Sequence, residues 1–458
     1  MKNFYYTLLS FVLLVSACSE HKPAQQTSNL PSQNISLKID DADILHQSVK
    51  FLSAVIINDI FVPPVSSRIY AYTTLAAYEA LRYGYPNYES ITMQLNGFEP
   101  MPAPAANKEY AFSIASLKAF FSVGKVLVHS PQELEKYENQ LYNQLKSQIT
   151  SEEVFQNSID FGNTIAEVIK KRIAKDNYKE TRGMERYTPL QGEQYWQPTA
   201  PAYMDAMEPF WNRILPFSLE KADQFKPETP YPFSLDKKSP FYKETMEVYE
   251  VSKNLTEEQK TIATFWDNNP FEMKYEGHLE YAVKKISPGG HWIQITSLVA
   301  QATHADLIRT AESYALVAVA LADAFISCWD EKYRSNYVRP QTVIEKHIDD
   351  KWTPYIQTPP FPEYTSGHSV ISHSAATVLT KLYGENFAFA DSTQTEYGLQ
   401  PRLFKSFLEA SSEASVSRLY GGIHFRKALE KGSEQGIKVG SWVMEKVKTK
   451  KTNLAKKE

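Results

Sequence analysis

Cysteine is nearly absent: the 458 residues hold two, Cys18 and Cys328. Two thiols make one bridge at most, so a disulfide framework is excluded and a packed core must stabilise the chain. An excess of one charge is missing too. Lys and Arg total 49 against 53 Asp and Glu, a formal net charge of −4, so nothing favours a nucleic-acid partner. Alternating apolar–polar runs are scarce, which speaks against a β-rich fold. No Cys/His spacing suits a zinc site. Beyond the N-terminus no run spans a membrane. The most apolar stretch, 314–329, is interrupted by Asp323 and preceded by Glu312, so it reads as a buried core helix.

What is present is length and aromatics. The chain is long enough for a sizeable core, and by length for more than one domain. Hydrophobic residues make up 43% and aromatics 13%, with 28 Tyr and 24 Phe. The aromatics read as packing and surface rather than as stacking platforms for sugars or bases.

The N-terminus has a charge at Lys2, an apolar stretch over 4–17 and then Cys18-Ser19-Glu20. That is the layout of a secretory signal, too short for a transmembrane helix. Val15-Ser16-Ala17-Cys18 resembles a bacterial lipobox. The resemblance implies cleavage before Cys18, a lipidated Cys18 thiol and a place in the cell envelope, with the lipid as the membrane anchor. Residues 19–38, rich in Ser, Gln, Asn and Pro, read as a flexible tether.

From about 39 to 450 the pattern is helical, with apolar residues three and four apart. It predicts helices over 43–60, 66–83, 108–128, 131–148 and 150–174. Residues 176–240 carry Pro189, Pro198, Pro201, Pro209, Pro216, Pro227, Pro230 and Pro232, which rule out helix and predict a long surface-crossing loop. Helices resume over 239–251, 256–266, 291–328, 331–348, 366–383, 401–420 and 425–446. The expected fold is all-α, two adjacent helical bundles.

Three clusters in the last third carry chemistry. In the first, Lys332 and Arg339 stand seven residues apart, ahead of Pro340. On one helix this puts two cations on a single face, suited to a multi-oxygen anion, although a solvated basic face has the same pattern. In the second, Pro362-Glu363-Tyr364-Thr365-Ser366-Gly367-His368 leads into a helix. A helix N-terminus offers free amides and a positive dipole end. Ser366 can donate its hydroxyl, Gly367 permits close approach and His368 can move a proton. A plain capped helix with a half-exposed histidine fits equally well. In the third, Ser417-Arg418-Leu419-Tyr420-Gly421-Gly422-Ile423-His424 adds a cation and places a histidine after a glycine break, at the start of the next helix.

Together and in this order, the clusters resemble the superfamily of vanadium-dependent haloperoxidases and type 2 phosphatidic acid phosphatases, whose pattern is Lys-x6-Arg-Pro, Pro-Ser-Gly-His and Ser-Arg-x5-His. The motifs cover 332–424, with the site expected within 329–428. The resemblance implies an oxyanion held by Lys332, Arg339, Ser366, the Gly367 amide and Arg418. In the haloperoxidases the ion is vanadate, His424 would bind vanadium, and His368 would be the acid–base group. In the phosphatases His424 would attack phosphorus and His368 would protonate the leaving group. Both chemistries need cations and amides preorganised around equatorial oxygens.

Family detail leans towards the haloperoxidases. Trp329 and Phe361 stand where aromatics line a halide pocket, although helix packing would bury them as well. The segments 64–72, 209–211 and 265–267 look similar to stretches of secreted haloperoxidase-like proteins, and Asp267 is a candidate for orienting a site arginine. Two departures stand out. Thr365 replaces the usual Pro, and Ala428 occupies the position of an Asp that would hold the imidazole of His424. A backbone carbonyl or Glu430 is the expected substitute. His291, after Pro288-Gly289-Gly290, reads as an idle loop histidine.

The functions that follow are a vanadate-dependent haloperoxidase using hydrogen peroxide, a halide and an organic acceptor; a soluble acid-type phosphatase cleaving a phosphomonoester; or a non-catalytic lipoprotein that binds phosphate.

Overall fold

The computed structural model describes residues 33–34, 41–149, 151–270, 272–276 and 278–451; the signal segment, Cys18 and most of the tether lie outside them. Five helices form the first half: α1 (Asp41–Asn58), α2 (Pro63–Leu81), α3 (Phe112–Gly124), α4 (Pro131–Lys146) and α5 (Glu152–Ile173). After the short α6 (Tyr178–Arg182) come α7 (Pro240–Lys253), α8 (Glu257–Phe265), α9 (Pro288–Ala302) and α10 (Leu307–Ser335). The last are α11 (Pro340–His347), α12 (Gly367–Tyr383), α13 (Phe407–Tyr420) and α14 (Arg426–Lys446).

Half of the helix starts follow from side-chain caps. Ser151, Ser239, Thr256, Ser287, Asp306, Ser366 and Ser406 each accept a backbone N–H from the first turn of the helix they open, satisfying donors that the helix cannot.

The axis of the molecule is α10. Every residue from Thr310 to Lys332 is buried. It packs on α1, α2 and α9 on one side and on α12 and α14 on the other, so the two bundles share it. It is also the one described helix apolar and long enough to cross a membrane, and its apolar window is buried throughout. Asp323, which interrupts the run, anchors the proline-rich loop. Its carboxylate accepts from the amides of Phe217 (2.7 Å), Ser218 (2.7 Å) and Leu219 (3.2 Å), and a buried charge is tolerable only when so satisfied.

Four expectations are corrected. The helix expected over 291–328 is two, broken at 303–306 where Asp306 caps α10. The helix expected over 331–348 is also broken: α10 stops at Ser335, Asn336 turns left-handed with φ +47, and Pro340 opens α11. Lys332 and Arg339 therefore do not share a helix face. Pro401–Phe404 is not helical; the helix begins at Phe407, after the strand β6. The tether is tied down near its end, where β1 (Gln33–Asn34) pairs in parallel with β2 (Glu109–Tyr110), because backbone ladders need no apolar side chains. Two antiparallel hairpins went unpredicted: β3 (Glu272–Glu276) with β4 (Leu279–Val283), and β5 (Phe389–Asp391) with β6 (Arg402–Phe404).

Candidate active site

The helix break at 336 builds the site. Lys332, in the last turn of α10, is fully buried and directs Nζ at three carbonyls of the approaching loop: Pro362 (2.9 Å), Glu363 (3.0 Å) and Thr365 (2.5 Å). It thus moulds the loop that delivers Ser366, and its charge lies beneath that loop. Arg339, at the N-cap of α11, is equally buried. Its Nε donates to the Phe361 carbonyl (2.9 Å), and its Nη1 to the Ile423 carbonyl (2.8 Å) and to His424 Nε2 (3.1 Å). Its Nη2 is buried without a partner.

Ser366 caps α12, and its own amide donates to the Ala428 carbonyl (3.1 Å). Gly367 and His368 follow in the first turn. Arg418, on α13, donates from Nε to Ser417 Oγ (2.9 Å) and from Nη2 to the Ala263 carbonyl (3.3 Å). One cavity of about 40 Å3 is lined by Trp329, Phe361, Gly367, His368, Arg418 and His424, with Asp267 also on its wall. The Trp329 and Phe361 rings lie 5.0 Å apart. His424 stands in the loop between α13 and α14, two residues ahead of the helix it was expected to begin.

The missing partner of His424 is Glu363. Its Oε1 lies 2.8 Å from His424 Nδ1 and 2.9 Å from the Phe425 amide, a role expected of Glu430 or a backbone carbonyl. Arg339 can only donate, so His424 Nε2 must accept. The proton of a neutral imidazole therefore sits on Nδ1, towards Glu363, and the lone pair is on Nε2. Burial, then the cations Arg339 and Lys332, hold His424 well below its ordinary pKa and so neutral. His368 is likewise held well below, by burial and by Arg418. It hydrogen-bonds the backbone of Trp266, while its Nε2 is shielded and unpartnered.

Electrostatics give the site its sign. Burial pushes Lys332 down to about 7 and Arg339 and Arg418 down to about 10, and pushes Glu363 up to about 8. Three buried cations surround one buried carboxylate, an arrangement that calls for a further anion. Asp267 forms its ion pair with Lys285 (2.7 Å) rather than with a site arginine; it acts on Arg418 through space, pulling its pKa back up against burial. An oxyanion fits what is present: the orphaned Arg339 Nη2, the N-terminus of α12, and the Arg418 guanidinium on the cavity wall.

Three comparisons bear on this geometry. Residues 312–452 match the family model of the VCPO second helical-bundle domain. A solved structure titled as the first bacterial vanadium-dependent iodoperoxidase is 44% identical, with a TM-score of 0.85 over 90% of this chain and 98% of that one. This chain belongs to the vanadium-dependent haloperoxidase family. It is accordingly a peroxidase-type oxidoreductase with vanadate as its cofactor. A holo-type bacterial vanadium-dependent chloroperoxidase shares the haloperoxidase fold at 18% identity, with a TM-score of 0.64 over 85% of this chain and 93% of that one. Its apo form agrees, at 17% identity and TM-score 0.64 over 84% and 93%. No curated protein matches the chain.

Sequence reasoning missed Glu363 and the buried His291. Glu363 stood in the second cluster, but a fold-back from 363 to 424 leaves no periodic signal. His291 is not in a loop. It lies in the first turn of α9, fully buried.

Proposed function

We propose that this haloperoxidase takes iodide in preference to bromide, holds vanadate through His424 Nε2, and moves protons through His368. The observation that carries the iodide preference is the 44% identity with the iodoperoxidase along nearly its whole length. Physical chemistry agrees: iodide is weakly hydrated and easily oxidised, so a wall of Trp329 and Phe361 desolvates it at little cost.

Bound vanadate supplies a Lewis-acid centre that polarises hydrogen peroxide. Arg339 Nη2, Arg418, the Gly367 amide and the Ser366 hydroxyl would hold its oxygens, with Lys332 fixing the loop and adding charge from below. His368, neutral, accepts a proton from peroxide at Nε2 and returns it to the departing oxygen. Iodide loses two electrons, the O–O bond breaks, and with one further proton the products are hypoiodous acid and water. We also propose that the chain is anchored in a bacterial cell envelope through lipid on Cys18, on the strength of Val15-Ser16-Ala17-Cys18.

The test is halide oxidation by purified protein with hydrogen peroxide, with and without orthovanadate, beside a phosphomonoesterase assay. Vanadate-dependent oxidation, faster with iodide than with bromide, is expected. Phosphomonoester hydrolysis blocked by vanadate, without halide oxidation, would overturn the reading.

A further inference from the structure

We propose that the buried pair His291–Asp391 is a positioning device for His368, acting through the turn Trp266-Asp267-Asn268. The inference rests on His368 being the proton-moving group.

His291 Nε2 lies 2.8 Å from Asp391 Oδ2, and both side chains are fully buried. Asp391 is itself fixed, since its Oδ1 accepts from the Thr393 amide (3.0 Å) and hydroxyl (2.7 Å). The imidazole so held grips the turn at both ends. Its face stacks on Trp266 with centroids 4.6 Å apart and planes 21° from parallel. Its Nδ1 is 3.1 Å from Asn268 Oδ1. The far edge of the Trp266 indole is tied as well, donating to Glu413 Oε1 (3.1 Å).

A buried His–Asp pair can serve folding alone. What singles this one out is where its grips land. The Trp266 carbonyl, which accepts the Asn268 amide at 2.9 Å, is also the acceptor for His368. Because His368 Nε2 has no partner, that bond is made by Nδ1–H. The carbonyl therefore fixes the tautomer that aims a lone pair into the cavity. Asp267 and Asn268, the rest of the turn, line the same cavity. A shift of this turn re-aims the lone pair of His368 and moves the negative charge near Arg418 together.

The experiment uses Asp391→Asn and His291→Gln, with 15N-histidine NMR on the cofactor-free protein and steady-state kinetics on the vanadate-loaded one. The wild type should show His368 as a single Nδ1–H tautomer, its signals assigned by their loss in His368→Asn. Both variants should show a tautomer mixture, with kcat lowered about tenfold or more and KM for halide within about twofold. An unchanged tautomer in both variants, or a changed tautomer with kcat intact, overturns the proposal. Should His291→Gln not fold, Asn268→Ala releases one grip with the His291–Asp391 pair intact and carries the same expectation. A protein without any peroxidase activity would count against the function above, while the tautomer would still decide this proposal.

Discussion

Glu363 sits three residues before Ser366 in sequence and hydrogen-bonds His424 from 61 positions away. Its carboxyl takes over the task that an Asp at 428 would perform, while the Ala428 carbonyl instead receives the Ser366 amide. Glu363→Ala should therefore weaken vanadate binding and activity by about 10–100-fold, with Glu363→Gln, which keeps an acceptor oxygen, in between. Calorimetry with vanadate and halide oxidation measure both; an unchanged Ala variant would show that Arg339 suffices to orient the imidazole. The same residues set a pH dependence. Burial depresses Lys332 to about 7 and raises Glu363 to about 8. As pH rises, Lys332 loses its positive charge and Glu363 gains a negative one, so both changes make the site less cationic. Affinity for sulfate, whose own charge is fixed over this range, should fall as pH rises through 7–8. The limit is about tenfold per pH unit for each coupled proton. Glu363→Gln should leave the shallower slope of Lys332 alone, and a flat profile in the wild type would contradict the assignment.

Between residues and the whole, the elements decide how closely the clusters converge. Packing of α14 on α12 brings the second and third motifs together, and it depends on Gly432, Gly436 and Gly440. A Cβ at Gly436 would stand 2.2 Å from the Val370 carbonyl oxygen, and one at Gly440 would stand 2.5 Å from that of Ser374. Gly436→Ala gains helix propensity of up to about 1 kcal/mol but must push the helices apart. A net loss of about 1–3 kcal/mol is expected, read by denaturant unfolding, with activity falling further because α12 carries Gly367 and His368. At this scale the sequence was legible where caps, prolines and 3.6-residue periodicity act locally: α12 and α14 begin within a residue of expectation. It was not legible where a tertiary demand overrode the pattern. The run through 331–348 reads as one helix, yet Asn336 breaks it so that Arg339 can turn back to Phe361 and His424. The three motifs named cations and histidines that the fold brings to one place, without their geometry. Glu363 and His291 stayed hidden because their partners are 61 and 100 residues away.

For the whole molecule, the site is a concentration of unbalanced charge at the junction of two bundles. Lys332, Arg339 and Arg418 are buried together, opposed by Glu363 and, through space, by Asp267, and a desolvated cation without a full counter-charge destabilises the fold that holds it. The anion is therefore part of the folded structure's energetics as well as of its chemistry. An ion that binds the native state alone adds RT ln(1 + [L]/Kd), about 2.7 kcal/mol at a hundredfold excess over Kd. For a chain of this length that is a rise of a few degrees in Tm. Vanadate should produce this rise in a thermal scan of the cofactor-free protein. Phosphate should produce a smaller one, since it lacks the bond to His424 Nε2. Arg339→Gln should remove most of both shifts, because the unpartnered Nη2 and one buried positive charge go together. The unliganded Arg339→Gln protein should nonetheless lose little stability, since the substitution also relieves cation–cation repulsion with Lys332. A vanadate shift that survives in Arg339→Gln would place the anion elsewhere in the fold.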